Sequence, residues 1–496
     1  MTIDLTEIYS MQYNGPFARR LLAAIIILNE ITKAGYEAYI AGGFVRDLVM
    51  FELEEGDAYR RWNEELEKSP RVYFGNYPTT TVGRLVELLA RTKEGDCGFN
   101  DIDIATNMPL ELLEKEYECK SNHGEAHGTI LVLKEGFAFE VTQFRVDGEY
   151  TDGRHPDSIE LAGSFKDDTA RRDFTVNAMG MDKDGNIIDY HGGIDDLKNK
   201  LIRCVGNPEQ RFGEDALRML RAVRFAARFG FTIEHDTKVA ILKCASGISK
   251  VAMERVWNEI EKVLKTADLF KIRSFVKLVD YTELNKYFDP DGFVNWKEAS
   301  ALIKRYANVF NSSSISETMA ACMLFLPSGN DLAGKDAKNW LMKGMRHYRT
   351  TAAVMDRVIW FSTMACKLGA TKFELDYFDN TIRYPMQTGS HRVTDLMDIL
   401  EHRFGTQFIR IYPAIVGDYE HTFDTAISMA LHVRDQIPTK AELVQSMQRV
   451  GVGRNQFRKV LQMTYEKMCR DAIGVRYKTD DQIDALVKEQ QVKSMD

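Results

Sequence analysis

Two aspartates one residue apart, Asp101 and Asp103 in Asn100-Asp101-Ile102-Asp103-Ile104, constrain this 496-residue chain more than any other feature. The stretch alternates polar and apolar residues and so predicts a strand, in which side chains alternate between faces and both carboxylates share one. Two like charges held that close repel each other and suit a core poorly. They suit Mg²⁺, a hard cation that takes one or two carboxylates together with substrate phosphates and can work in pairs in displacement at phosphorus. A surface Asp-x-Asp on an edge strand is the plain alternative for the pair taken alone.

Upstream, the apolar run Ala38-Tyr39-Ile40-Ala41 meets Gly42-Gly43 and then a helix-like stretch carrying Arg46 and Asp47. Two glycines let the backbone approach a polyphosphate, the first N–H groups of a helix point at an anion, and an arginine one turn in neutralises charge. A plain turn is the alternative for a glycine pair after a strand. Downstream stand Arg171-Arg172-Asp173-Phe174-Thr175-Val176-Asn177 and Glu214-Asp215-Ala216-Leu217-Arg218, followed by Arg221, Arg224 and Arg228 at spacings of three and four. Those spacings put the arginines on one side of a helix and Leu220, Val223 and Ala227 on another.

Together these segments resemble the class II nucleotidyltransferases, the family of tRNA CCA-adding enzymes and bacterial poly(A) polymerases. The resemblance runs in order through Gly42-Gly43-x-Val45-Arg46-Asp47, the Asp-x-Asp, His127-Gly128-Thr129 with Glu140-Val141-Thr142, Arg171 to Thr175, Gly192-Gly193-x-Asp195-Asp196-Leu197 and the Glu-Asp-x-x-Arg helix. It covers roughly Ala38 to Glu259. It implies an α/β nucleotidyltransferase head with a small mixed β-sheet, followed by all-α neck, body and tail domains. The expected bounds are 1–205 for the head, with an insertion at about 51–99, then 206–275, 276–400 and 401–496.

The implied reaction is attack by the 3′-hydroxyl of a tRNA on the α-phosphorus of bound CTP or ATP, with pyrophosphate leaving and two Mg²⁺ ions held by Asp101 and Asp103. Glu140, in the alternating run Phe139-Glu140-Val141-Thr142, is the third catalytic candidate if that run pairs beside the Asp-x-Asp strand; a cross-strand ion pair is the competing reading. Nucleotide contacts are expected from Gly42, Gly43, Arg46, Asp47, Arg172, Asp173, Asn177, Asp215, Arg218, Arg221 and Arg224. Asp215 and Arg218, three apart, are expected as neighbours on one helix face, an acceptor beside a fork of donors. Cytosine and adenine offer such a pair an amine and an adjacent ring nitrogen, whereas uracil and guanine would oppose a carbonyl to the carboxylate.

Composition agrees. The chain exceeds one ordinary domain, and 44% hydrophobic residues suffice for several cores. Seven scattered cysteines without a C-x-x-C pair, and no signal peptide, predict a reducing, cytoplasmic setting. The longest apolar run, Leu21 to Leu28, is too short to span a bilayer. A net charge of −8 excludes a general nucleic-acid binder, so RNA contact must come from local patches, with Arg449 to Lys459 one candidate. Two decoys are set aside: Gly329 to Lys335 has P-loop spacing, but Asp336 replaces the required Ser or Thr, and the glycines around His123 and His127 argue against a zinc helix. The chain departs from its family in the 53 residues between Asp47 and Asp101, with a charged stretch at Glu52 to Lys68 and a helix expected at Val82 to Arg91, and in a C-terminal half without legible motifs. A poly(A) polymerase, or an enzyme adding only CC or only A, would share every motif. A non-catalytic RNA-binding protein is the rival of another class.

Overall fold

The computed structural model describes residues 16–54, 101–120, 128–148, 159–310, 315–325, 335–350, 355–356, 358–361, 440–453, 455–471 and 480–494. Most of the 51–99 insertion, both decoys apart from Lys335 and Asp336, and Arg454 of the basic patch lie outside them. The chain divides into two compact units, Met1–Ala252 with Tyr281–Phe288, and Met253–Asp280 with Asp289–Asp496. The division falls inside the stretch expected as the neck.

The first unit opens with α1 (Pro16–Lys33), whose Leu21, Ala24, Ile25, Leu28 and Ile31 recur every three or four residues and are all buried. Gly35, at φ +92°, ends it and turns the chain into β1 (Ala38–Ala41). A helix at 43–54, α2, follows directly. Next come β2 (Asp103–Thr106), α3 (Leu110–Glu116), β3 (Glu118–Lys120), β4 (Thr129–Lys134) and β5 (Phe137–Gln143). A two-stranded pair, β6 (Arg145–Asp147) with β7 (Ile159–Leu161), leads to α4 (Phe165–Ala170), a 3₁₀ turn at Thr175–Asn177, β8 (Met179–Met181), β9 (Ile187–Asp189) and α5 (Gly193–Lys198).

One mixed sheet of seven strands results, in the order β3-β4-β5-β2-β1-β8-β9. Its antiparallel neighbours include β1 with β2, where Ala41 faces Asp103, and β1 with β8. The parallel pair is β2 with β5, Ile104 opposite Val141. Alternation along these strands buries Ile102, Ile104, Phe139 and Val141 and leaves Asp101, Asp103 and Glu140 exposed, as period two requires.

Past the sheet, β10 (Leu201–Ile202) pairs in parallel with β11 (Thr232–Ile233), a ladder too short to show in the sequence pattern. Between them lie α6 (Pro208–Glu214) and α7 (Leu217–Phe229), and α8 (His235–Cys244) follows. Asn207 caps α6 by accepting from Gln210 N, and Gly230 closes α7 at φ +68°.

The described residues of the second unit form helices joined by turns, with no strand among them. Met253–Leu264, Trp296–Phe310, Glu317–Phe325 and Lys335–His347 gather around Trp257, Phe325 and Tyr348, whose rings lie 5.6–6.1 Å apart. Lys440–Val450, Phe457–Asp471 and Asp480–Lys493 follow. Arg449 of the candidate basic patch is bound to Asp484 at 2.9 Å, and Lys459 donates to the Ser494 carbonyl at 2.8 Å.

Candidate active site

The glycine turn stands at the junction of β1 and α2. Gly42 has φ +75°, a left-handed conformation that side chains strain to adopt. Its N–H donates to the Met179 carbonyl, and its own carbonyl accepts from Arg46 N at 3.1 Å, the first turn of α2. A Cβ at this position would sit 3.0 Å from Nη1 of Arg172, so that guanidinium lies across the turn.

Beside it is the acidic edge. Asp103 opens β2, Asp101 precedes it on the same face, and Glu140 stands on the adjoining strand, one residue before the Ile104–Val141 pair. Partial desolvation, then Glu140 and Asp101, push the Asp103 carboxyl up to about 6, against the pull of Arg172 and Arg20. That crowding of like charge is what a bound cation would relieve. Among the described residues no group of three or more His, Cys, Asp or Glu side chains gathers as a metal cage. Mg²⁺ held by one or two carboxylates and completed by substrate phosphates does not need one.

The basic side of the site is partly buried and tightly paired. Asp173 accepts from Phe174 N and Asn177 Nδ2 on one oxygen and from Arg221 Nε and Nη2 on the other, at 2.6–3.1 Å. Burial pushes its carboxyl up, but Arg221 and Asn177 outweigh that and hold it below the ordinary value. Asn177 links three charged groups: its Oδ1 accepts from Arg46 at 2.7 Å, its Nδ2 donates to Asp173, and its carbonyl accepts from Arg172 at 3.3 Å.

Arg46 departs from the expectation of a side chain offered to a polyphosphate. It is 4% exposed, bound to Asp47 at 2.6 Å, and its guanidinium lies 4.8 Å from the Phe229 ring centre and 5.4 Å from that of Phe225. Here it ties α2 to α7. Two glycines fix where α2 starts but not which way its first turn faces, and that turn faces α7.

Asp215 and Arg218 also differ from expectation. They are not neighbours on one helix, because the chain breaks between α6 and α7 and Asp215 sits extended in the break, at φ −145°. Its Oδ1 accepts from Leu217 N at 3.0 Å, the competition for helix-start N–H groups to which aspartate is suited. Arg218 turns instead to Glu214, the Arg211 carbonyl at 3.1 Å and the Arg171 carbonyl at 3.2 Å. The arginine face of α7 also divides. Arg221 is bound by Asp173, Arg224 is 6% exposed with its guanidinium 4.0 Å from the centre of the Phe225 ring, and Arg228 lies 4.0 Å from Asp47.

Reading the sequence alone missed Asp168, Glu214, Phe225 and Phe229. Asp168 and Glu214 have a visible signal, an acid three and four residues before an arginine pair and four before Arg218. The phenylalanines look like ordinary core on a helix.

Residues 86–203 match a family model described as the poly(A) polymerase head domain, and residues 230–288 one described as "Probable RNA and SrmB-binding site of polymerase A". The CCA-adding enzyme of Bacillus subtilis is 35% identical over 268 residues, 54% of this chain and 56% of that protein. The CCA-adding enzyme of Ligilactobacillus salivarius is 32% identical over 364 residues, 72% of this chain and 74% of the relative. The chain belongs to the CCA-adding enzyme family. It spans about half the length of the Bacillus relatives it matches. A crystal structure of the Bacillus stearothermophilus CCA-adding enzyme in complex with CTP aligns over 97% of this chain and 99% of its own, at 23% identity and a TM-score of 0.57. The Thermotoga maritima CCA-adding enzyme complexed with tRNA covers 99% of this chain and 100% of its own, at 16% identity and a TM-score of 0.57.

Proposed function

We propose that this protein is a tRNA nucleotidyltransferase that adds C, C and A to the 3′ end of tRNA from CTP and ATP without a template. The observation that carries the reading is the exposed pair Asp101 and Asp103, flanked by Glu140 and by an Arg172 guanidinium laid across the Gly42 turn. Membership of the CCA-adding family supports the substrates. The division into head, neck, body and tail is part of the same reading, as is a cytoplasmic setting, which the free Cys119, Cys204 and Cys244 support.

Asp101 and Asp103 would hold Mg²⁺, which when bound neutralises phosphate charge and makes the primer hydroxyl more acidic. This chain's own residues do the rest. Arg172 and the N–H groups after Gly42 receive the triphosphate, and the attacking 3′-hydroxyl displaces pyrophosphate with no covalent enzyme intermediate. Asp215, at the break before α7, would accept from the exocyclic amine of cytosine or adenine, and Arg218, braced by Glu214 and two backbone carbonyls, would donate to the adjacent ring nitrogen. Uracil or guanine leaves a carbonyl facing a carboxylate, an unpaired arrangement costing about 1–3 kcal/mol.

A poly(A) polymerase is the second reading, favoured by the description of the matched head model. The purified protein, Mg²⁺ and a tRNA lacking its last three nucleotides, supplied with each labelled NTP singly and then with CTP and ATP together, separate the two on a sequencing gel. Growth that stops after C-C-A is expected. An open-ended A ladder would replace this reading by the second, and no extension would overturn both.

A further inference from the structure

We propose that Asp168 is a positioning residue of the nucleotide site, one buried carboxylate that sets the Arg172 guanidinium across the glycine turn and fixes the turn whose carbonyl holds Arg218. This rests on the nucleotidyltransferase reading above and names a residue on which that site depends. Asp168 lies on α4 and is 1% exposed. One oxygen accepts from Arg171 Nε at 3.1 Å and Nη2 at 2.7 Å and from Arg145 N at 3.4 Å; the other accepts from Arg172 Nη2 at 3.1 Å. The two guanidiniums therefore share one carboxylate, an oxygen each.

What lies beyond them gives the arrangement its consequence. Arg172 continues to the Asn177 carbonyl and to Gly42, on the side of Asp103. Arg171 passes its backbone carbonyl to Arg218 Nη2 at 3.2 Å. Asp168 thus stands behind both the triphosphate side and the base side of one site. An amide in its place keeps a single acceptor and turns an NH₂ toward a guanidinium, donor against donor. A glutamate keeps the charge but carries the carboxylate about 1.5 Å further along the chain.

The test is steady-state kinetics of D168N and D168E on tRNA primers lacking A or CCA, at a temperature where far-UV circular dichroism shows each variant folded. A displaced guanidinium lowers kcat/KM for CTP and for ATP alike by about 10²-fold, the effect of an ångström-scale misplacement, while KM for the tRNA primer is unchanged. A folded variant of either kind with wild-type kcat/KM for both nucleotides overturns the proposal. So does a loss confined to melting temperature, or failure of both variants to fold, which would make Asp168 a folding residue only. If the wild-type protein itself transfers neither nucleotide, the functional reading fails first and takes this proposal with it; active wild type beside unimpaired D168N refutes this proposal alone.

Discussion

The acidic edge of the site and its arginine cluster carry opposite charge and are treated in opposite ways by the fold. Asp101, Asp103 and Glu140 are crowded together, and partial desolvation with that crowding pushes Asp103 up to about 6. The arginines are matched almost one for one: Asp168 with Arg171 and Arg172, Asp173 with Arg221, Asp47 with Arg46, Glu214 with Arg218. Folding tolerates a crowded acidic edge because water and a cation can reach it, whereas half-buried or buried guanidiniums without partners would be destabilising. One side awaits a cation; the other is braced by the protein's own carboxylates before the substrate arrives.

Breaking the acidic side has the largest expected effect on rate. D101A or D103A removes a carboxylate proposed to hold the metal, and nucleotide addition falls by about 10³-fold or more in a gel-based initial-rate assay, since metal stabilisation of phosphoryl charge is worth several kcal/mol. The same comparison predicts opposite signs for stability: without Mg²⁺ at neutral pH, D103N raises the melting temperature, because it removes a crowded negative charge.

Breaking the basic side costs the fold. R46A leaves the buried Asn177 oxygen unpaired and Asp47 with only Arg228 among the described residues, at 4.0 Å, and urea denaturation should report a loss of about 1–3 kcal/mol. A third substitution sharpens the contrast between binding and reading. D215N replaces the carboxylate by an amide whose NH₂ can donate to the uracil carbonyl, and use of UTP relative to CTP rises by a factor corresponding to about 1–3 kcal/mol of lost discrimination, roughly 5- to 150-fold in kcat/KM.

The smallest effect concerns pH. Asp168 and Asp173 both titrate below the ordinary aspartate value because their arginines outweigh burial. The stability they contribute is complete above about pH 4, the value in an unfolded chain, and is lost only as pH falls through the depressed folded values. Between pH 3 and 4, D173N should therefore show a shallower loss of melting temperature than the wild type, measured by a scan at constant ionic strength.

Much of the head was legible because its chemistry is local. The Asp101-x-Asp103 spacing, the strand–glycine–helix order at Ala38 to Arg46 and the Arg172-Asp173 pair depend on near neighbours, and the structure brings all of them into one unit. Glu140 beside Asp103 needed only two alternating runs to pair. Orientation was not legible. Nothing near Arg46 in sequence says that Phe225 and Phe229, some 180 residues away, lie beneath its guanidinium. Asp215 looked helical because a break of two residues between helices leaves no gap in the apolar periodicity. Beyond Glu259 the second unit was read as helical with one candidate basic patch, since ring packing such as Trp257 on Tyr348 leaves a generic apolar pattern with no spaced polar motif.

The division of labour between the two sides is tested most directly by measuring CTP binding and C transfer in one variant. D103N with Mg²⁺ and a tRNA ending before CCA should bind CTP within a few-fold of the wild type, because the arginine side is intact, yet transfer no measurable CMP. Transfer at the wild-type rate would contradict the assignment of the acidic edge, and with it the account of the site.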